Sequence, residues 1–273
     1  MATVTSVAWR SPHLVVAAHH SAGKIGIFDT RSADGTELLG SFNIEHRTDD
    51  LALYKVNRNR FVIVVSGTWA KKASTFILEL TEEKMSLKKH IAIPHDDKTF
   101  SHGVFLLEKK IGICLHDGEF PRVEIGNSII ALPWGEKPTS AYYQKNIGEL
   151  FICCNHYSPT QHKTVERPKS SFWRFTPESC QLKKIGTLEN CHTDKIQLYD
   201  KRLYYNNQYT NSLDSFKISE DKKGNPQIKE NSHKSISLPE IDFPHGFEIN
   251  EDGMCAIACY KNSSIVLFSV QSC

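Results

Sequence analysis

An all-β fold, built as a single six-bladed β-propeller of mostly four-stranded antiparallel blades, is what this sequence predicts, and three observations predict it. Apolar runs rich in Val, Ile, Phe, Tyr and Cys alternate with Gly, Asn and Asp turns along the whole chain, as half-buried strands do. No amphipathic helical stretch interrupts them. Three-strand units followed by a more polar fourth segment start at residues 5, 49, 101, 139, 193 and 244, a mean spacing of about 48 residues that suits propeller blades.

The units follow in order. TSVAW, HLVVAAHH, KIGIFD and ELLGSFNI form blade one (5–48); DDLALYKV, RFVIVVSG, STFILEL and SLKKHIAI form blade two (49–100). SHGVFLL, KIGICLHD, RVEIG and SIIALP form blade three (101–138); TSAYYQ, ELFICCNH, SSFWRFT and QLKKIGTL form blade four (139–192). TDKIQLY, RLYYNNQY, SLDSFKI and SHKSISLP form blade five (193–243); GFEI, MCAIACY and SIVLFSV form blade six (244–273), with no evident fourth strand. Second strands are nearly continuous in apolar residues, as strands packed on both faces are. Fourth segments such as SLKKHIAI and QLKKIGTL are more polar, as an outer edge strand should be. Two insertions stand out: 157–169 reads as a rim loop and 219–231 as a solvated hairpin tip.

Composition narrows the function classes. With 33 Lys plus Arg against 31 Asp plus Glu and 40% hydrophobic residues, no field argues for nucleic acid or a membrane surface. No apolar run reaches the length of a membrane span, and the first residues do not read as a signal peptide. The eight cysteines form no C-x-x-C pairs, and five sit in apolar runs, which points to reduced thiols and a cytoplasmic setting. Cys153–Cys154 reads as core; Cys259, beside Lys261 and His245, is the one candidate nucleophilic thiol. Trp69, Trp134 and Trp173 are candidate rim aromatics. A monomer is expected.

The first unit, VTSVAWRSPHLVVAAHHSAGKIGIFD, resembles a WD40 blade, with IFD at its end, and PHGFEINEDGMCAIACYKNSSIVLFSV is similar to blades of lactonase and NHL-type propellers. The Gly-His that usually precedes a WD first strand is missing, and the acidic metal set of gluconolactonases is not recognisable by motif. The resemblance implies the fold alone.

The chemistry is sought where first strands begin. Aligning them places Ser6, Asp50, His102, Ser140, Asp194 and His245 around the axis, so that blades facing one another pair Ser with Ser, Asp with Asp and His with His. His102, His245, Asp50 and Asp194 form a plausible set for one divalent metal ion, or His–Asp pairs for general base catalysis. The bland alternative is a water-filled channel lined with polar residues. Second strands end at the same mouth, bringing His19, His20, His116, Asp117, Asn155, His156, Gln208, Tyr209, Tyr260 and Lys261 to it. His156 joins the catalytic candidates; His20, His116, Asp117, Tyr209, Tyr260 and Lys261 are candidates for holding substrate. Seven of the 13 histidines, His192 included, belong to this mouth. Two functions follow. One is an enzyme acting on a small molecule at the axial mouth, metal-assisted, of lactonase-like hydrolase, lyase or isomerase type. The other is a WD-like scaffold that binds a protein partner through its rim.

Overall fold

The computed structural model describes residues 3–31, 37–44, 47–57, 60–67, 72–80, 85–94, 100–116, 120–156 and 168–271, with side chains described for all of these but 72–80, 85–94, 100 and 116. They form an all-β propeller of small antiparallel sheets, with no helix among them. The first sheet holds β1 (Val4–Ser11), β2 (Leu14–His19), β3 (Lys24–Asp29) and β4 (Glu37–Asn43). The second holds β5 (Leu51–Asn57), β6 (Arg60–Val65), β7 (Lys72–Leu80) and β8 (Met85–Pro94). β9 (Phe100–Leu107), β10 (Lys110–His116), β11 (Arg122–Ile125) and β12 (Ser128–Ala131) make the third; β13 (Lys137–Gln144), β14 (Glu149–Asn155), β15 (Lys169–Thr176) and β16 (Gln181–Glu189) make the fourth. The fifth contains β17 (Ile196–Tyr199), β18 (Arg202–Asn207) and β19 (Ser212–Glu220), with β20 (Pro226–Ile228) and β21 (Lys234–Ile236) both paired to β19. The last contains β22 (Pro244–Ile249), β23 (Met254–Cys259) and β24 (Ser264–Ser269). Five sheets thus carry four or more strands and one carries three.

First strands meet at the axis in a closed cycle: β1 touches β5, β5 touches β9, and so on through β13, β17 and β22 back to β1. Each gap between successive sheets holds an apolar cluster. Ile25 and Ile27 of the first sheet meet Phe61 and Ile63 of the second, and Val7, Val15 and Ala17 meet Ala256 and Ala258 of the last. Small residues at that final contact let the ring shut tightly. Trp9 reinforces it, donating from Nε1 to the Glu248 carbonyl at 3.0 Å and from its backbone N–H to the Glu248 carboxylate. Between the fifth and last sheets, Gln197 acts as a strand partner in miniature, giving Nε2 to the Ile249 carbonyl and accepting the Ile249 N–H at Oε1, both at 2.7 Å.

Second strands are buried on both faces: β18 is buried throughout and β14 nearly so. The 219–231 segment is a hairpin, with Ser219 opposite Gln227. The fifth sheet's outer position is shared by β20 and β21, whereas the sequence reading placed that strand at 232–239 alone. Of the 157–169 insertion, residues 157–167 lie outside the described residues, as does Trp69.

Candidate functional site

First strands begin with irregular pairing, and the irregularity sets which side chains face the axis. In β1, β13 and β22 the register skips one residue at Thr5, Thr139 and His245, and in β9 His102 and Gly103 together stand opposite Cys114. A bulge of this kind re-aims a side chain. The upper ring is therefore Thr5, Asp49, His102, Thr139, Asp194 and His245, and the ring beneath it is Ser6, Asp50, Gly103, Ser140, Lys195 and Gly246. Both glycines are required by space. A Cβ on Gly103 would meet the Thr139 carbonyl oxygen at 2.3 Å, and one on Gly246 would meet that of Thr5 at 2.7 Å.

At the upper level His102, Asp194 and His245 offer ligand atoms that all lie within 4.8 Å of one another. Nε2 of His102 is 3.5 Å from one Asp194 carboxylate oxygen, and Nε2 of His245 is 3.5 Å from the other. The side chains are mostly buried, with 12%, 5% and 13% of their surfaces exposed for His102, Asp194 and His245. The two imidazoles stack at 5.9 Å with 9° between planes. Nδ1 of His102 donates to the Thr139 carbonyl at 3.0 Å. A carbonyl only accepts, so the proton sits on Nδ1 and the lone pair of the neutral ring is on Nε2, toward Asp194.

Asp194 is held from every side. Nε2 of Gln208 donates to its Oδ2, Nδ2 of Asn155 approaches Oδ1 at 3.5 Å, and Nε2 of His192 lies 3.5 Å from Oδ1. Its own N–H donates to Asn206 Oδ1 at 3.1 Å. Burial opposes ionisation of Asp194, but the surrounding His192, His245 and His102 outweigh it and hold the carboxyl far below the usual range. Burial pushes the His245 pKa down, with Asp194 pulling the other way. These groups fit a divalent cation. A separation of 3.5 Å is long for a hydrogen bond but near the spacing of about 3.3–3.4 Å between two ligands on one tetrahedral ion with bonds of about 2.0–2.1 Å. Gln208 Oε1 is buried without a hydrogen-bond partner.

Asp49 occupies the opposite flank. Nδ1 of His20 donates to the Thr48 carbonyl at 2.9 Å and lies 3.2 Å from Asp49 Oδ1. Burial works against the Asp49 anion, yet His20 by hydrogen bond and His102 and His245 by charge hold its pKa well down. Burial likewise opposes the His20 cation, but Asp49 and the Thr48 carbonyl raise that pKa on balance. Tyr260 bridges the two halves, stacked on His245 at 6.0 Å and edge-on to His20 at 6.1 Å.

Asp50 belongs elsewhere, which corrects its assignment as a metal ligand and catalytic residue. Both its oxygens accept from Lys195 Nζ, at 2.7 and 2.8 Å. Ser6 Oγ and the Leu51 and Val104 N–H groups donate to it at 2.7, 2.9 and 3.1 Å. Lys195 reaches it from the opposite side of the ring, so the ion pair crosses the axis beneath the histidines. Ser6 and Ser140 also sit at this lower level; Ser140 Oγ accepts the Ile196 N–H at 3.3 Å. Beyond the pair a cavity of about 160 Å³ continues down the axis, lined by Lys195, Gln197, Tyr142 and Glu248 among others; none of His102, Asp194 and His245 touches it.

The remaining candidates spread outward. His156 pairs with Glu136 at 3.2 Å, and Ser171 and Lys184 also donate to that carboxylate, which places His156 on the fourth sheet's rim and apart from the Asp194 group. Lys261 lies 3.7 Å from Asp242 and over the Phe243 ring. Tyr209 is 53% exposed, just after Gln208. Asp117 and the His116 side chain lie outside the described residues. Cys259 is fully buried and burial raises its pKa, the reverse of what a nucleophilic thiol needs. Trp134 is 83% exposed, whereas Trp173 is buried and donates Nε1 to Ser171. Sequence reasoning missed Asp49; the repeated Thr48-Asp49 and Thr193-Asp194 pairs were the available signal.

Fold and site together define a β-propeller with a His/Asp group at one axial mouth. No family model matches the sequence, and no curated protein matches it. Solved structures do. A Lactobacillus plantarum protein aligns with a TM-score of 0.63 at 12% identity over 98% of this chain and 82% of its own. The periplasmic gluconolactonase of Pseudomonas aeruginosa aligns at 0.58 and 9% identity, covering 98% and 80%. A Thermus thermophilus protein described as an oxidoreductase (glucose dehydrogenase) aligns at 0.59 and 11%, covering 97% and 92%. Likeness at this identity shows the fold.

Proposed function

We propose that the chain is a six-bladed propeller enzyme, the three-stranded sheet counting as a blade, that opens a small lactone-like ester at the His102/Asp194/His245 mouth with the help of one divalent ion. The observation that carries the reading is the convergence of two imidazole Nε2 atoms on one buried carboxylate. The gluconolactonase among the structural neighbours supports the substrate class. His102, His245 and Asp194 would hold the ion, which when bound polarises a carbonyl or acidifies water. Thr139 fixes the His102 tautomer, and Gln208, Asn155 and His192 fix Asp194. Asp49 orients His20, which takes a proton from attacking water and returns it to the leaving oxygen. The buried Gln208 Oε1 accepts a hydroxyl of the substrate. Tyr209 and Tyr260 wall the mouth. The setting is cytoplasmic, and neither nucleic acid nor a membrane takes part.

Elemental analysis of purified, untagged protein tests this beside a lactone panel followed by pH-stat. Stoichiometric metal in the wild type, lost in His102→Ala/His245→Ala with an unchanged circular dichroism spectrum, is expected. Lactone hydrolysis is expected to fall at least about 100-fold in Asp49→Asn, on the scale of lost acid–base catalysis. Metal-free wild type, or turnover indifferent to these changes, overturns the reading.

A further inference from the structure

Beneath the Asp50–Lys195 pair the axial channel opens into a cavity, and the side chains two levels down explain why. There the first strands present Ala8, Ala52, Phe105, Tyr142, Gln197 and Glu248, all of which line the space of about 160 Å³. Ala8 and Ala52 come from adjacent blades, and their short side chains leave that part of the axis open. Phe105 is turned away, packed over Gly112 at the gap between the third and fourth sheets; a Cβ on that glycine would meet its ring at 2.1 Å. Gln197 is engaged by both backbone groups of Ile249. Leu53 and Leu106 continue the apolar wall. A cavity of this size takes a molecule of about five or six heavy atoms, roughly the bulk of benzene.

Charge does not balance in this space. Both Asp50 oxygens accept from the Lys195 ammonium at 2.7 and 2.8 Å, and the Leu51 carbonyl lies 3.4 Å from the same nitrogen. All three protons of that cation have acceptors. Glu248 is the second acid of the cavity. Its carboxylate accepts the Trp9 N–H, and among the described residues no cation forms an ion pair with it. A carboxylate set in an apolar wall takes up a proton or a cation. In the unliganded protein it takes the proton: burial raises the Glu248 pKa to about 7, with Trp9 and Lys195 pulling it down and Asp50 pushing it up.

We propose that the cavity is a second binding site, for a small primary ammonium with a short apolar chain. The ammonium displaces the Glu248 proton and pairs with the carboxylate, and the chain rests against Ala8, Ala52, Leu53 and Leu106. A metal ion fits less well, since it seeks several oxygen ligands and Glu248 is the one carboxylate on the wall without a counter-ion. A neutral guest gains no ion pair, and an anion meets a like charge. The site stands apart from the histidine mouth, with the ion pair between them.

The groups that face Glu248 are Lys195 and Asp50, which are paired with each other, the Trp9 N–H, Tyr142 and Cys255. Burial raises the pKa of both Tyr142 and Cys255, so neither takes a charge near neutrality. Ammonium binding therefore follows the ionisation of Glu248 and strengthens as pH rises through about 7.

Isothermal titration calorimetry on the intact protein tests this, with isobutylammonium as the probe and isobutanol as its neutral counterpart. At about pH 8 the ammonium is expected to saturate with a dissociation constant below about 10 mM, within reach of a five-atom ligand, and to bind at least about tenfold tighter than the alcohol. At about pH 5.5 its affinity should fall at least about tenfold, with about one proton released per ammonium bound, read from buffers of different ionisation enthalpy. Glu248→Gln keeps an acceptor for the Trp9 N–H and so keeps the fold; it should erase both the preference for ammonium over alcohol and the proton release. Absence of saturation, equal affinity for ammonium and alcohol, affinity indifferent to pH, or binding lost in Asp49→Asn but kept in Glu248→Gln each overturns the proposal.

Discussion

Replacing Lys195 by methionine would leave the Asp50 carboxyl, 3% exposed, without its counter-ion and facing an apolar chain end across the axis. Two Nζ–carboxylate distances of 2.7 and 2.8 Å correspond to about 6 kcal/mol of attraction at an effective dielectric of about 20. Desolvation of both ions offsets much of that in the intact pair, but removing one partner leaves the other's penalty standing, which costs about 3–5 kcal/mol. The hydrogen bonds from Ser6, Leu51 and Val104 remain, so the lower half of that range is expected. At about 2–3 °C per kcal/mol for a chain of this size, Tm should drop by about 6–12 °C. Asp50→Asn should cost a similar amount. The double variant Asp50→Asn/Lys195→Met should recover most of the loss, giving a coupling of at least about 2 kcal/mol in a double-mutant cycle by urea unfolding. A Lys195→Met cost below about 1 kcal/mol, or single costs that simply add, would refute a buried pair that rivets opposite sides of the ring.

Gly103→Ala and Gly246→Ala each push a methyl group into backbone of the neighbouring first strand; each should cost about 1–3 kcal/mol and lower metal occupancy, seen by denaturation and elemental analysis. Asn206→Ala removes a side chain that donates to the Pro244 carbonyl at 2.7 Å and accepts the Asp194 and Lys195 N–H groups at 3.1 and 2.7 Å; about 2–4 kcal/mol is expected from the unsatisfied groups left behind. Burial raises Glu248 from 4.5 to about 7. The folded protein then keeps a proton that the unfolded chain releases, so the contribution is complete below about pH 4.5 and is lost as pH rises to about 7, about 3 kcal/mol in all. Glu248→Gln should flatten that slope in urea titrations at pH 5 and pH 8; an unchanged slope would place the titration elsewhere.

Much of the fold is legible in the sequence because its signals are local. Runs such as LVVAAH and ELFICCN, bounded by turn residues, lie on β2 and β14, and the blade starts coincide with the first strands to within a few residues. The convergence of His102, Asp194 and His245 was legible as well. The acid that faces Asp194 was not: Asp50 was read in that place, and it pairs with Lys195 instead. A bulge adds a residue without leaving a mark in composition, and because side chains alternate, one residue decides between Asp49 at the histidines and Asp50 at the lysine. Nor does any local pattern connect Asp50 to Lys195, 145 residues away, or tie His156 to Glu136 at the rim.

The two halves of the ring repeat one rhythm. Thr5, Asp49 and His102 recur as Thr139, Asp194 and His245, and the glycine after each histidine recurs too. A faithful copy would set two acids against each other one level down; the change of sign at Lys195 converts that repulsion into attraction. It also tells the halves apart. On one flank of the stacked imidazoles Asp194 is held by the amides of Gln208 and Asn155 with His192 beside them, and on the other Asp49 is held by His20. The two flanks are not interchangeable: a nearly two-fold frame has acquired a direction.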